Sequence, residues 1–365
     1  MNPLKQLEAC GQSPWLDYLK RSLIETGGLA TLIERDGVKG VTSNPSIFEK
    51  AIAGTDEYAG ALKQFQGLGD HAVSAIYEHL AVADIRAAAD VLRPVYEATQ
   101  GRDGYISLEC SPYLANDTEA TVAEALRLWA AVERPNLMVK VPATPAGIPA
   151  IRQLIGRGLN INITLLFSVS VYEQVAEAYI SGLEDLARTG GNVAKTGSVA
   201  SFFVSRIDGA VDKRLDALGD GQLADRLRGK AAIANAKLAY VRYKALFSGP
   251  RWQRLAASGA KTQRLLWAST GTKNPAYKDT MYVEALVGQD TVNTIPPATM
   301  DAFRDHGKAI PDAIEQDVAG ARAVLDELER LGISLEEVAK ELVTDGVRQF
   351  ADAFGKLLGS ITAHK

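Results

Sequence analysis

A chain of 365 residues with 47% hydrophobic side chains can build one barrel of roughly 250 residues with added helices, or two ordinary domains. Forty basic against forty-four acidic residues give a net charge of −4, and the absence of a basic stripe or of aromatic and basic interleaving argues against nucleic acid as a partner. Only Cys10 and Cys110 occur, the start MNPLKQLEAC has no apolar signal core, and no run is long enough to cross a membrane, so small soluble partners and a reducing, cytoplasmic location are expected.

Residues 14–19 (PWLDYL) form a short apolar segment carrying Asp17, and a helix is predicted over 21–35. Residues 38–44 (VKGVTSN) read as a strand running into Pro45, which suits the first turn of a helix beginning at Ser46. The Ala- and Leu-rich stretch 71–99 repeats apolar residues every three or four positions and reads as a longer helix. Strand 105–110 (YISLEC) follows, and Asp117 caps a helix over 118–132.

Residues 135–142 (PNLMVKVP) come next, a continuous apolar run closed by prolines with one lysine inside it. Such a run reads as a strand covered on both faces, as in a parallel sheet. An ammonium held away from water is costly unless it is paired or gives up its proton. Lys140 is therefore either half of a structural ion pair or a nucleophilic amine.

A short helix over 147–155 leads to strand 160–167 (NINITLLF), and Ser168 or Ser170 caps a helix to residue 187. Strand 197–205 (GSVASFFVS) is followed by helical sequence over 208–258, far longer than a simple return. Strands 264–269 (RLLWAS) and 291–295 (TVNTI) come last, before helices over 314–331 and after Ser334, where Ser334 and Glu337 make a capping-box pattern. Eight short strands mostly separated by helices point to a (β/α)8 TIM barrel, an α/β fold, with an open doubly wound sheet as the competitor. No linker-like stretch divides the chain, so residues 1–365 read as one domain with helical elaborations at about 208–258 and 314–355.

Strand residues two apart share a face. Thr42 with Asn44, Ser107 with Glu109, Asn162 with Thr164 and Ser201 with Phe203 repeat one pattern towards strand ends, where a barrel keeps its chemistry. Lys140 holds the equivalent place on the fourth strand. Taken singly, Glu109 reads as a buried acid paired with a base or as a solvated edge residue, Asn162 and Thr164 as residues that satisfy loop backbone, and Lys140 as a salt-bridge partner. Their joint placement favours chemistry. His71, His79, His306 and His364 fall in helices or tails, so neither a metal set nor a Ser-His-Asp arrangement is expected, and no glycine-rich nucleotide loop opens a helix. No cofactor is called for. A lysine beside an acid suits Schiff-base chemistry on a carbonyl, with the iminium as electron sink and Asp17, Glu109 and a water held by Thr164 moving protons.

The segments GVTSNPSIFEKAI, ISLECSPYLANDTEAT, LMVKVPATPAGIPAI, NINITLLFS and SVASFFVSRID, in this order, resemble the transaldolase family, specifically its longer bacterial branch. The similarity extends from PWLDYL to GVRQFADAF, nearly the whole chain. The resemblance implies a class I aldolase-type barrel of the pentose phosphate pathway. Such an enzyme moves a dihydroxyacetone unit from sedoheptulose 7-phosphate or fructose 6-phosphate to glyceraldehyde 3-phosphate or erythrose 4-phosphate. It further implies Lys140 as the Schiff-base lysine, Glu109 with Thr164 as the acid/base pair working through water, and Asp17 as the acid that serves the sugar hydroxyl. Asn44, Asn162 and Ser201 match residues that hold the dihydroxyacetone hydroxyls, and Arg206 matches a phosphate ligand. After the seventh strand the shorter branch carries an arginine soon after a serine, whereas this chain reads WASTGTKN, which makes Ser269 and Lys273 the candidates for that role.

Phe203 has no hydroxyl from which an enamine could take a proton, which favours transfer over simple cleavage. The alternatives are an acceptor-independent fructose 6-phosphate aldolase and a non-catalytic barrel that binds sugar phosphates. A homo-oligomer, or a fusion to a sugar-phosphate isomerase, is compatible with the sequence but not read from it.

Overall fold

The computed structural model describes residues 2–53, 56–65 and 73–364. Among them, eight strands run β1 (Gln12–Asp17), β2 (Gly40–Thr42), β3 (Tyr105–Glu109), β4 (Leu137–Pro142), β5 (Ile161–Leu166), β6 (Ser198–Phe203), β7 (Arg264–Ala268) and β8 (Thr291–Ile295). Each pairs in parallel with its neighbours in chain order, and β8 returns to β1 to close the barrel. The open doubly wound sheet is thereby excluded. All six positions of β4 are buried, because helices cover its outer face and the barrel interior covers the other. Met138 reaches the cavity at the barrel floor and Lys140, two residues on, the cleft at its mouth, as the pleat requires.

The floor is closed by a buried ion pair in which Arg264 donates to Asp103 at 2.8 Å and to Ser13 Oγ at 2.8 Å. Burial works to raise the Asp103 carboxyl, but the Arg264 charge and hydrogen bonds from Arg264, Trp15 and Ser13 hold it below the ordinary range. Internal partners thus occupy the Arg264 guanidinium, which leaves the mouth as the better place for an anionic substrate.

Several boundaries differ from the sequence expectation for local reasons. The expected helix 21–35 is two helices, Arg21–Glu25 and Gly28–Asp36, broken where Gly27 adopts a left-handed φ of 75°. The helix after β2 starts at Pro45 rather than Ser46, since a proline lacks only an N–H that a first turn leaves free anyway. Of the expected helix 71–99, the described part is Val73–Ala98, and residues 71 and 72 lie outside the described residues. The region 208–258 is four helices, Ser205–Ala217, Gly221–Leu227, Ala231–Leu246 and Pro250–Ala257, with glycines between them. The final helix, Leu335–His364, continues past residue 355 and packs across the helix Pro45–Ala53 and against β5.

Candidate active site

Barrel closure brings the polar strand ends together. Glu109 on β3 stands opposite Lys140 on β4, and Lys140 opposite Asn162 on β5. Lys140 Nζ lies 3.4 Å from Glu109 Oε2, with both side chains almost wholly buried, and donates a hydrogen bond to Ser43 O at 3.2 Å. The pair is an ion contact rather than an aligned hydrogen bond, since Glu109 Oε2 has no hydrogen-bond partner among the described residues. Thr164 Oγ1 is likewise buried and unpartnered among them. Thr164 stands at an irregularity where the β5 register shifts and Leu165 takes a φ of 60°, a distortion that re-aims side chains at a strand end.

Burial pushes the Glu109 carboxyl above its ordinary range, opposed by the Lys140 charge and reinforced by Asp17. Asp17, at the end of β1, is also raised by burial, against the pull of Lys140, a hydrogen bond from Thr42 and the charge of Lys273. Thr42 Oγ1 donates to Asp17 Oδ1 at 2.7 Å and lies 2.6 Å from Thr294 Oγ1. Two carboxyls with elevated proton affinity thus flank one amine, an arrangement suited to moving protons.

The amide and hydroxyl residues form a chain across three strands. Ser201 Oγ donates to Asn162 Oδ1 at 2.6 Å, and Asn162 Nδ2 donates to Ser107 Oγ at 2.9 Å. This fixes the rotamers of groups that could hold a polyol. Lys140, Asp17, Asn44, Ser201, Phe203 and Arg206 line a cleft of about 560 Å³ at the barrel mouth, together with Ser269 and Lys273. Glu109 touches Lys140 but lines a separate cavity, and Asn162 and Thr164 are fully buried and do not line this cleft.

At one side of the cleft, Arg206 lies in the first turn of the helix Ser205–Ala217, where the helix dipole favours an anion. Burial lowers the Arg206 guanidinium, against the nearby charges of Asp345 and Glu109, and its Cζ lies 5.5 Å from the Phe203 ring centroid. Ser269 has a φ of 57°, and its Oγ lies 2.9 Å from Ser205 Oγ, so the loop after β7 is tied to the start of that helix. Lys273 and Lys50 also line the cleft. Sequence reasoning missed Lys50, in the helix Pro45–Ala53 that follows β2, although its place just after a barrel strand was visible. It also missed Phe350, which the C-terminal helix brings over the mouth.

His79 and His306 lie in the helices Val73–Ala98 and Pro297–His306, away from this cleft, and His71 lies outside the described residues. Among the described residues no helix is long and apolar enough to cross a membrane.

Residues 14–361 match the family described as Transaldolase/Fructose-6-phosphate aldolase. The chain is 49% identical over 359 residues to a protein named Transaldolase from Parafrankia sp. (strain EAN1pec), covering 98% of this chain and 97% of that relative. It is 49% identical over 361 residues to a Transaldolase from Thiobacillus denitrificans, covering 99% of this chain and 100% of the relative. A Transaldolase 1 from Streptomyces coelicolor is 50% identical over 359 residues, covering 98% and 94%. With a closed barrel and a buried lysine–acid pair at its mouth, the chain belongs to the transaldolase/fructose-6-phosphate aldolase family.

Proposed function

We propose that Lys140 carries the covalent step of a transaldolase reaction in this chain. The enzyme class follows from family and full-length relatives of that name. The assignment of the step rests on one observation, an almost fully buried lysine 3.4 Å from a buried carboxyl at the mouth of the barrel.

In this reading the neutral amine attacks C2 of a ketose phosphate. Glu109, through a water held by Thr164, takes and returns the protons of carbinolamine formation and dehydration. Asp17 removes the proton from the C4 hydroxyl as the C3–C4 bond breaks, and the electron pair moves into the iminium to give an enamine. An aldose phosphate departs, and an acceptor aldehyde enters to reverse these steps. Asn44 and the linked Asn162 and Ser201 hold the dihydroxyacetone hydroxyls. Arg206, Lys273 and Ser269 hold the phosphate, Arg206 through its planar fork and Lys273 as a point charge. The place in metabolism is the exchange between ketose and aldose phosphates of the pentose phosphate pathway.

The test is reduction of the intermediate. Borohydride added during incubation with fructose 6-phosphate is expected to fix a dihydroxyacetone unit on the peptide that contains Lys140, located by mass spectrometry. Folded protein without label there would discard the Schiff base.

Phe203 bears on what happens to the enamine. Its ring centroid lies 5.2 Å from that of Phe167 and it is 7% exposed, so at this position the cleft meets a ring without a hydroxyl. Phe203→Tyr adds one. Free dihydroxyacetone released from fructose 6-phosphate is expected to rise about tenfold, equivalent to about 1.4 kcal/mol in the competing barrier. Unchanged partitioning would count against Phe203 as a wall of the enamine site.

A further inference from the structure

A ring beside Lys140 comes from the far end of the chain. In the helix Leu335–His364, buried positions recur at Gly346, Phe350, Phe354, Leu357 and Ile361, which is one helical face. A Cβ at Gly346 would come within 2.7 Å of Leu165 Cδ2, so the bare glycine lets the helix settle on the irregular end of β5. One turn on, the Phe350 ring centroid lies 5.9 Å from Lys140 Nζ, 5% exposed and on the cleft wall.

We propose that Phe350 is a specificity-determining residue that shields the covalent intermediate from water, and that Gly346 is the positioning residue that sets the ring beside Lys140. This rests on the Schiff base at Lys140. The iminium is a cation, which the face of a ring attracts, and the ring offers no lone pair and no proton. Once the aldose has left, the enamine must survive until an aldehyde arrives. Hydrolysis competes and consumes one water. The enamine carbon takes a proton from water, and the hydroxide adds to C2. The carbon–nitrogen bond then breaks as the hydroxyl proton passes to nitrogen, freeing dihydroxyacetone and the Lys140 amine. Removing the ring leaves a gap beside Nζ, at a polar site where a water finds partners.

The experiment supplies fructose 6-phosphate and erythrose 4-phosphate and measures free dihydroxyacetone per transferred unit, with circular dichroism to confirm folding. Phe350→Ala is expected to raise that ratio about tenfold while borohydride still labels Lys140. Phe350→Leu refills the space and is expected to stay close to the parent. Gly346→Ala, which crowds Leu165 Cδ2 so that the side chain or the helix must shift, is expected to move the ratio upward by less than Phe350→Ala. If Phe350→Ala does not fold, Phe350→Val is read in its place. An unchanged ratio in the truncated variant, or a ratio in Phe350→Leu as high as in Phe350→Ala, overturns the proposal. Absence of label on Lys140 in the parent would instead overturn the Schiff base beneath it.

Discussion

Lys140→Met is expected to fold as the parent does and to lose turnover by a factor on the order of 10⁴ or more, the scale on which removal of a covalent nucleophile acts. The reason for intact folding is electrostatic. The Lys140 side chain is 6% exposed and that of Glu109 5%, so the parent carries a nearly buried ion pair whose desolvation offsets much of its attraction. A straight methionine fills the same space without a charge. The carboxyl left behind is already pushed up by burial, and loss of the lysine removes the main influence that lowers it. It can therefore take a proton rather than remain a lone buried anion. The thermal midpoint is expected to be no lower than that of the parent, while a coupled assay with fructose 6-phosphate and erythrose 4-phosphate shows no transfer above background. Activity within tenfold of the parent in well-folded Lys140→Met would place the chemistry elsewhere.

How much of this was readable in advance follows from how local each signal is. β8 coincides with the expected residues 291–295, because a five-residue apolar and β-branched run between turns has little freedom. Lys140 stood out because a charge inside a doubly buried strand needs a reason. The same spacing argument singled out Glu109, Asn162 and Ser201 as candidates, yet it could not say that Asn162 would bridge Ser107 and Ser201, since that depends on how the strands are placed around the barrel. The break at Gly27 was written in the sequence as Thr26-Gly27-Gly28, but the apolar spacing runs on through it and suggests one helix. Phe350 is a different case. Its helix reads as an ordinary amphipathic one, and only its packing across the helix Pro45–Ala53 and the seat of Gly346 on Leu165, 181 positions away in the chain, turn that face to Lys140. The left-handed Leu165 carries no residue-type signal at all, as leucine is disfavoured there and is held by its surroundings.

Glu109→Gln is expected to slow formation of the Lys140 adduct by about 10²–10⁴-fold, the usual span for a positioned acid or base. The pH dependence distinguishes that role from a structural one. In the proposed mechanism Glu109 must be ionised to accept the proton of the attacking amine, so in the parent the rate of adduct formation is expected to fall as pH drops through the Glu109 pKa. Burial raises that value, so the fall begins above the ordinary carboxylate range of about 4. An amide does not titrate. The slow rate of Glu109→Gln is therefore expected to lose the part of the decline that the carboxylate causes and to keep only the dependence imposed by the attacking amine itself. Asp17 is raised by burial as well, but in the proposed mechanism it acts on the C4 hydroxyl after the adduct has formed, so its own proton transfer belongs to overall turnover and not to this step. Timed borohydride quenching isolates adduct formation at each pH and separates the two carboxyls. If Glu109→Gln kept the parent's acid limb, the titrating base of the first step would be another group, and the 3.4 Å contact between Glu109 and Lys140 would serve only to hold the amine in place.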